Sequence, residues 1–291
     1  MATVTADASS SRHAQGIALM VVAMLILPLT DGLAKYLSAS YSPLFLGWAR
    51  YAVACVVVLP LTAGIKGRDI FPSERLGSHV LRTVFLVTSM TLYFLAITMV
   101  PLATAVSTYF VAPVIAVVLS LFILKERMTW PKGISLLLGF AGTMIILQPG
   151  GSMEPGVLFA LGSGVTFACY IIATRQAAKD SDPLKTLAFQ LVVGTVLLLP
   201  QALWFWTTPA WEHLLFFAGL GLIGAASHMM SIAAFRLAEA STLAPLVYIE
   251  LIGTSLVGYL AFGEIPGAAT IIGAGFIIAA GLVLLRRPNG A

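Results

Sequence analysis

The sequence is poor in charged residues, and this scarcity excludes an ordinary soluble protein. Only 10% of its 291 residues are Asp, Glu, Lys or Arg, whereas a soluble domain carries about 25%. The chain also has only 2 cysteines. Both Cys55 and Cys169 fall inside apolar runs, which argues against a disulfide framework and against a zinc site. Hydrophobic residues make up 59% of the chain, a composition typical of a membrane protein.

What the sequence has instead is a series of ten apolar runs, each about long enough to cross a ~30 Å hydrocarbon core. They cover residues 16–37, 43–64, 77–98, 102–124, 131–148, 156–178, 184–206, 213–236, 242–262 and 267–286. A membrane span must satisfy its own backbone polar groups, and these runs are continuous rather than alternating. The sequence therefore predicts an all-α integral membrane protein with ten transmembrane helices.

The few basic residues are distributed very unevenly between the two sides of the membrane. If the N-terminus is cytoplasmic, fourteen of the 16 Lys and Arg residues fall on the cytoplasmic side, Lys35 falls on the other side, and Arg50 lies within a span. This positive-inside bias predicts that both termini are cytoplasmic. The fourteen include Arg82, which this pattern interprets as a topology marker. Because topology explains the net charge of +4, no nucleic-acid partner is predicted.

The two halves of the chain match each other at nearly constant offsets. Pro, basic and Glu residues match together, which argues against a chance alignment of apolar sequence. The matched residues are Lys35 with Arg175 and Pro43-Leu44 with Pro183-Leu184 at an offset of 140, and Thr104 with Thr242, Phe110 with Tyr248 and Glu126 with Glu264 at 138. Each half holds five spans, an odd number, so the second half enters the membrane upside down. We predict a cytoplasmic polar tail (1–15), a five-helix repeat (16–150) and an inverted repeat (151–287) around a central cavity, as in secondary transporters.

Ionisable groups inside a bilayer are costly, so each one needs a reason. With a rise of about 1.5 Å per residue, His228 and Glu250 both lie roughly 12 Å from the cytoplasmic ends of their spans, near the midplane. A carboxylate beside a histidine is able to couple transport to protons or to bind a substrate's ammonium group. The alternative is a structural hydrogen bond between neighbouring helices.

Asp31 and Arg50 lie at similar depth on the outer side of the midplane, which predicts an ion pair. Lys35, one turn beyond Asp31, competes for the same carboxylate. A structural pair is the simpler interpretation, and a gate that opens when the pair breaks is the functional one.

Aromatic and hydroxyl side chains also lie along the central spans, where they suit an amphipathic solute with an apolar side chain. The substrate-binding residues predicted with His228 and Glu250 are Tyr93, Thr108, Tyr109, Ser163, Tyr170 and Tyr248. Spans one, three, four, six, eight and nine should therefore line the cavity. Spans five and ten carry small residues at i, i+4 spacing. They should therefore lie at the periphery, where they either support the bundle or form a dimerisation face. The protein is expected to be a monomer or a weak homodimer.

Motifs that close spans four and nine resemble those of a known family. They are Ala112-Pro113 with Leu124-Lys125-Glu126-Arg127 and Pro131-Lys132-Gly133, and in the second copy Pro245 with Phe262-Gly263-Glu264 and Pro266-Gly267. With Asp31-Gly32, Lys35 and Arg50, they are similar to the ten-helix drug/metabolite transporter superfamily, EamA-domain type. The resemblance covers about residues 16–287.

The resemblance implies a multi-pass protein of the bacterial inner membrane that moves a small metabolite by alternating access. The bacterial exporters of aromatic or other neutral amino acids are the most similar branch. Another small metabolite or a drug-like solute is the alternative within the superfamily. The expected partners are a small-molecule substrate and the lipid bilayer, with proton coupling as an option.

Two other function classes are less favoured. An intramembrane enzyme needs converging catalytic groups, and of the 4 histidines only His228 lies deep, without a Gly-x-Ser-x-Gly elbow or a metal-spaced partner. A channel would display rings of charge or a filter motif. The sequence also lacks a Walker-type loop. It predicts a secondary transporter that is not an enzyme and uses no cofactor or metal.

Overall fold

Long apolar runs with few helix breakers become long helices in the computed structural model of the chain. The structure describes residues 2–147, 154–178, 181–243, 246–247, 249–265 and 267–285, and it assigns no β-strand within these ranges. The helices are α1 (Ala2–Leu37), α2 (Pro43–Lys66), α3 (Leu76–Met99), α4 (Leu102–Tyr109), α5 (Val111–Ile123), α6 (Trp130–Leu147), α7 (Pro155–Ala178), α8 (Pro183–Trp204), α9 (Leu214–Leu237), α10 (Ala240–Leu243), α11 (Ile249–Phe262) and α12 (Ala268–Leu285). A 3₁₀ turn, Trp211–His213, precedes α9.

All ten predicted runs fall on these helices, and the all-α integral membrane prediction is confirmed. Seven segments of the described chain are long and apolar enough to cross a membrane, and Ile249–Phe262 and Ile271–Ala280 are shorter apolar helices. The fourth predicted span is divided into α4 and α5, and the ninth into α10 and α11. Helix α1 continues to Ala2, through the predicted polar tail. The side of the membrane that holds the termini stays a prediction.

Contacts between the connections group them on two faces of the bundle. We call one the basic face, because it carries Lys66, Arg75, Lys125, Arg175 and Lys185 at or near helix ends. The opposite face holds the turns after α1, α3 and α11 and the segment between α8 and α9. Large apolar side chains cover the outside of the bundle, such as Phe122, Leu215 and Leu260. This surface suits contact with lipid.

Equivalent helices of the two halves begin with equivalent caps. Ser42 accepts a hydrogen bond from the Leu44 amide at the start of α2, and Asp182 accepts from the Leu184 amide at the start of α8. Pro43 and Pro183 occupy the first helical position, where a missing N–H costs nothing. Burial alone would raise the pKa of Asp182, but hydrogen bonds from Lys66 and from backbone amides outweigh burial and lower it.

The packing between helices repeats as well. Gly16 of α1 approaches Leu237 at the basic face, and Gly156 of α7 approaches Met99 at the opposite face. A Cβ added at these glycines would lie 3.1 Å and 2.8 Å from the facing Cβ atoms. These equivalent contacts lie on opposite faces, so the second repeat is inverted relative to the first.

Two serines at equivalent positions make the same inter-helix hydrogen bond. Ser89 Oγ donates to the Ser163 carbonyl at 3.0 Å, and Ser227 Oγ donates to the Ala23 carbonyl at 3.0 Å. Small polar residues of this kind let helices approach closely inside a membrane. They join α3 to α7 and α1 to α9, the two most extensive helix pairs of the bundle.

Helices α6 and α12, the predicted spans five and ten, pack against each other. Neither contributes a residue to the central cavity described below. Their small-residue faces therefore support the bundle from the periphery, as one of the two sequence-based interpretations predicted. The mutual contact lies within one chain, and dimerisation stays a prediction.

The fourth span is interrupted at Phe110, three residues before Pro113. Proline has no N–H to donate to the carbonyl of Tyr109, four residues earlier. Gly164 of α7 packs against this carbonyl, and a Cβ at position 164 would lie 2.6 Å from its oxygen. The break and the glycine therefore form one packing unit. Pro245 and Pro266 of the second copy lie outside the described residues.

Gly164→Ala should destabilise the bundle, because the new methyl group meets a backbone oxygen that is unable to move aside. We expect a loss of roughly 1–3 kcal/mol, measured as a lower melting temperature in detergent. The matched control is Gly64→Ala in α2, where a Cβ meets no atom of the described residues within 4 Å. Since alanine favours helix, the control should be neutral or stabilising. Equal behaviour of the two variants would show that the close contact at Gly164 is unimportant.

Candidate functional site

A narrow cavity lies between the two repeats, at the centre of the bundle. Its volume is about 50 Å³, room for only a few water molecules. It is lined by Leu27, Asp31, Arg50, Leu86, Ser89, Met90, Tyr93, Tyr109, Ser163, Phe167, His228 and Glu250. All six predicted spans contribute, and α2 adds Arg50, which the sequence had not placed on the wall. A metabolite requires the helices to separate before it enters.

One side of the cavity is acidic. Tyr93 donates a hydrogen bond to Asp31 at 3.4 Å, and the carboxyl groups of Asp31 and Glu250 are close enough to interact. Asp31 and Glu250 are only 3% exposed, and Glu250 Oε2 has no hydrogen-bond partner among the described residues. Two facing carboxylates repel each other when both are ionised. This side therefore favours a cation or a proton between them.

The other side of the cavity is basic. Arg50 Nη2 lies 3.3 Å from His228 Nε2, and no ion pair of the described residues includes Arg50. Gly224, one turn from His228, leaves the room that the guanidinium occupies, since a Cβ there would lie 2.5 Å from Arg50 Nε. Arg50 reaches α9, whereas the Asp31 carboxyl contacts side chains of α3 and α11. The predicted Asp31–Arg50 pair is therefore not a close ion pair among the described contacts, and its gating role stays a prediction.

A row of rings joins the two sides. Ring centroids are 5.5 Å apart for Tyr93 and Tyr109, 5.0 Å for Tyr109 and Phe167, and 5.3 Å for Phe167 and Tyr170. Tyr170 then makes an edge contact with His228 at 6.4 Å. These rings are tilted against one another and provide an apolar wall.

Other predicted site residues lie elsewhere. Thr108 is buried but is absent from the cavity wall, and Tyr170 lies behind that wall. Tyr248 lies outside the described residues. Lys35 forms an ion pair with Glu264 instead of competing for Asp31. Its position at the end of α1 brings it to the opposite face, where α11 ends.

Glu264 holds three helices together at that face. One carboxylate oxygen pairs with Lys35 of α1, and the other accepts a hydrogen bond of 3.0 Å from the Leu102 amide at the start of α4. We call this arrangement the Glu264 clasp. A carboxylate suits the positive end of a helix. A pocket of about 730 Å³ beside the clasp is lined in part by Lys35, Pro101 and Phe262.

A second pocket at the basic face is the inverted counterpart of the first. Its volume is about 470 Å³, and Arg175, Glu239 and Leu124 line it at the positions equivalent to Lys35, Pro101 and Phe262. Arg175 there donates to the Phe235 carbonyl at 2.5 Å, and Lys132 lies 3.4 Å from Glu239. The two faces of the bundle therefore have equivalent pockets with different polar contacts.

Sequence reasoning missed one buried cation. Arg82 is 0% exposed and lies within α3, so its interpretation as a topology marker at a loop is wrong. It contacts Tyr170, Thr174 and Gln190. The available signal was its place six residues inside α3, about 9 Å from the basic face. Within the described residues, no group of His, Cys, Asp and Glu side chains has the arrangement of a metal site.

Comparison with known proteins identifies relatives along the whole chain. The model of the EamA-like transporter family matches residues 14–148 and 154–286, once in each repeat. The S-adenosylmethionine uptake transporter of Rickettsia prowazekii is 27% identical over 94% of this chain and 93% of its own length. The riboflavin transporter of Vibrio cholerae is 26% identical over 91% of this chain and 90% of its own length.

A solved crystal structure shares the fold. It superposes with a TM-score of 0.72 and 20% sequence identity, covering 95% of this chain and 96% of the other. At this identity the likeness concerns the fold alone.

Loss of the Glu264 clasp should open the path from the opposite face to the cavity. We expect Glu264→Gln to speed labelling of Met90→Cys by an impermeant maleimide about two- to fivefold, as a partly exposed ion pair is worth ~0.5–1 kcal/mol. The native cysteines are replaced by serine, and the reagent is added at that face. Glutamine still accepts from the Leu102 amide, so only the charge is removed. Glu212→Gln, an exposed change at the same face, is the control. Equal labelling rates would exclude a closing role for the clasp.

Proposed function

Because the chain belongs to the EamA-like transporter family, we propose that its central cavity binds a zwitterionic metabolite with a ring or another apolar side chain and moves it by alternating access. The protein is a multi-pass membrane transporter of small metabolites. The observation that supports this substrate class is the arrangement of charge around the cavity, with Asp31 and Glu250 on one side, Arg50 beside His228 on the other, and aromatic rings between them.

Each part of such a substrate has a matching group. An ammonium group suits the space beside Glu250 and Asp31, because a cation there relieves the repulsion of two carboxylates. A carboxylate suits Arg50, because its guanidinium offers a fork of N–H donors. In this structure the guanidinium contacts the His228 ring, which carries no negative charge. The ring or apolar side chain of the substrate lies along Tyr93, Tyr109 and Phe167. Thr108, Ser163, Tyr170 and Tyr248 remain proposed as nearby contributors.

Two kinds of compound fit this description. Neutral and aromatic amino acids follow from the sequence resemblance, with export as the proposed direction. S-adenosylmethionine also has an amino-acid group and a flat ring, and a relative bears its name as an uptake transporter. Proton coupling is proposed at the Asp31–Glu250 pair, which releases a proton when a cationic group replaces it. The proposed location is the bacterial inner membrane, with both termini cytoplasmic and the chain a monomer or weak homodimer.

Charge removal at the cavity should weaken transport of a zwitterion. In proteoliposomes tested by counterflow with phenylalanine, tryptophan, S-adenosylmethionine and riboflavin, we expect His228→Ala and Glu250→Gln to lower apparent affinity. The loss should be about tenfold or more, since hydrogen bonds to charged groups contribute ~1.5–3 kcal/mol. The same substitutions at exposed positions, His13→Ala and Glu212→Gln, are the controls and should be silent.

Three outcomes would contradict parts of the proposal. If both cavity variants insert correctly and leave transport of every accepted substrate unchanged, the site assignment is wrong. If the protein transports riboflavin but none of the amino-acid compounds, the cavity selects for a ring, and the proposal of a zwitterionic substrate is wrong. If an imposed pH gradient drives substrate transport by Glu250→Gln as strongly as transport by the unmodified protein, Glu250 is not the proton-coupling group.

A further inference from the structure

We infer that Arg82, with Tyr170 and Gln190, forms a second anion subsite, on the basic-face side of the central cavity, which takes the carboxylate of the substrate. The inference rests on the proposed function for the identity of the molecule that bears this carboxylate. The subsite itself rests on the geometry of four side chains from α3, α7 and α8.

The guanidinium is held in place but is not saturated. Arg82 Nη2 donates to Gln190 Oε1 at 2.7 Å and to Tyr170 Oη at 3.2 Å, and Nε donates to Thr174 Oγ1 at 3.2 Å. Arg82 Nη1 and Gln190 Nε2 have no hydrogen-bond partner among the described residues, although both side chains are 0% exposed. Both groups are hydrogen-bond donors, so both lack an acceptor.

The cluster also lacks negative charge. No ion pair of the described residues includes Arg82, and all three of its partners are neutral side chains. A buried cation without a counterion is expensive, and a brace of apolar side chains would join the same helices at lower cost. A carboxylate placed against Nη1 and Gln190 Nε2 supplies the missing charge and satisfies both donors.

The position of the cluster relates it to the basic side of the cavity. Gln190 in the second repeat stands where Arg50 stands in the first, 140 residues apart, and each is the eighth residue of its helix. Arg50 reaches α9, and Gln190 reaches Arg82 on the equivalent helix α3. The repeats are inverted, so one cation lies on the opposite-face half and the other on the basic-face half of the bundle.

Tyr170 separates the cluster from the cavity. Its ring lies 5.3 Å from the Arg82 guanidinium on one side and 6.4 Å from the His228 ring on the other. A rotation of this one side chain would remove the ring that lies between Arg82 and the cavity residue His228. A carboxylate leaving Arg50 would then meet a second guanidinium before it reaches the basic face.

The first arm of the test uses acetate, which depends on no assumption about the natural substrate. We expect acetate, compared with chloride at equal ionic strength, to raise the melting temperature of the purified protein in nanodiscs. Arg82→Gln and Arg50→Gln should each lose part of this shift, and the double variant should lose all of it. Arg82→Lys should retain a smaller shift, because the charge stays and the fork of donors is lost.

The second arm compares phenylalanine with its methyl ester as competitors of transport. Arg82→Gln should weaken competition by phenylalanine by about tenfold or more and leave the ester almost unchanged, as expected for a lost charged hydrogen bond. If Arg82→Gln fails to fold, Gln190→Leu replaces it in both arms. Its matched control is Gln201→Leu on the same helix, where the amide donates to the Leu44 carbonyl.

The outcomes separate this inference from the proposed function. If acetate raises the melting temperature of Arg82→Gln as much as that of the unmodified protein, or if chloride raises it equally, the subsite is overturned. Equal losses for phenylalanine and its ester show that Arg82 is only a brace, even if amino-acid transport is real. Acetate protection that depends on Arg82, in a protein that transports neither amino acids nor S-adenosylmethionine, supports the subsite and rejects the proposed substrates.

Discussion

The hydrocarbon core is the constraint from which the rest of this structure follows. It offers no hydrogen bonds, so every polar group at depth must find its partner inside the bundle. The backbone therefore becomes helical, and serines such as Ser89 and Ser227 bond to carbonyls of neighbouring helices. The same constraint gives meaning to exceptions. Glu250 Oε2 and Arg82 Nη1 are buried without partners among the described residues, and the proposed substrate would supply those partners.

Much of this architecture could be predicted from the sequence, because its causes are local or periodic. Ten apolar runs of membrane-crossing length indicate the helices, and Pro43-Leu44 with Pro183-Leu184 indicate the repeat. The depth of His228 and Glu250 follows from the rise of a helix, and both line the cavity. Depth along one helix, however, says nothing about which neighbour a side chain faces.

The contacts in the structure differ from the sequence-based expectation at that point. Arg50 and Asp31 lie at similar depth, but Arg50 turns to His228 because Gly224 leaves room for its guanidinium on α9. Lys35 was assigned to the nearest carboxylate along the chain, whereas the turn after α11 brings Glu264 to it. Arg82 was counted with the loop arginines, since a sequence count of basic residues does not separate a residue at a helix end from one inside it. The contacts of Arg50 and Lys35 join distant parts of the chain, and the burial of Arg82 depends on its place inside a helix.

The two repeats share their backbone packing but differ in several polar side chains at equivalent positions. Caps, glycine contacts and serine bonds recur in both halves, and this recurrence supports the proposed alternation between two arrangements with similar packing. Arg50 is replaced by Gln190, and His228 has Met90 as its counterpart. A solute therefore meets different groups from the two sides, although the path is geometrically equivalent.

In the present arrangement the central cavity, at about 50 Å³, is smaller than either outer pocket. We therefore propose that substrate binding spreads the helices. The break at Phe110 suits this movement, because Pro113 has no N–H to donate to the carbonyl of the cavity residue Tyr109.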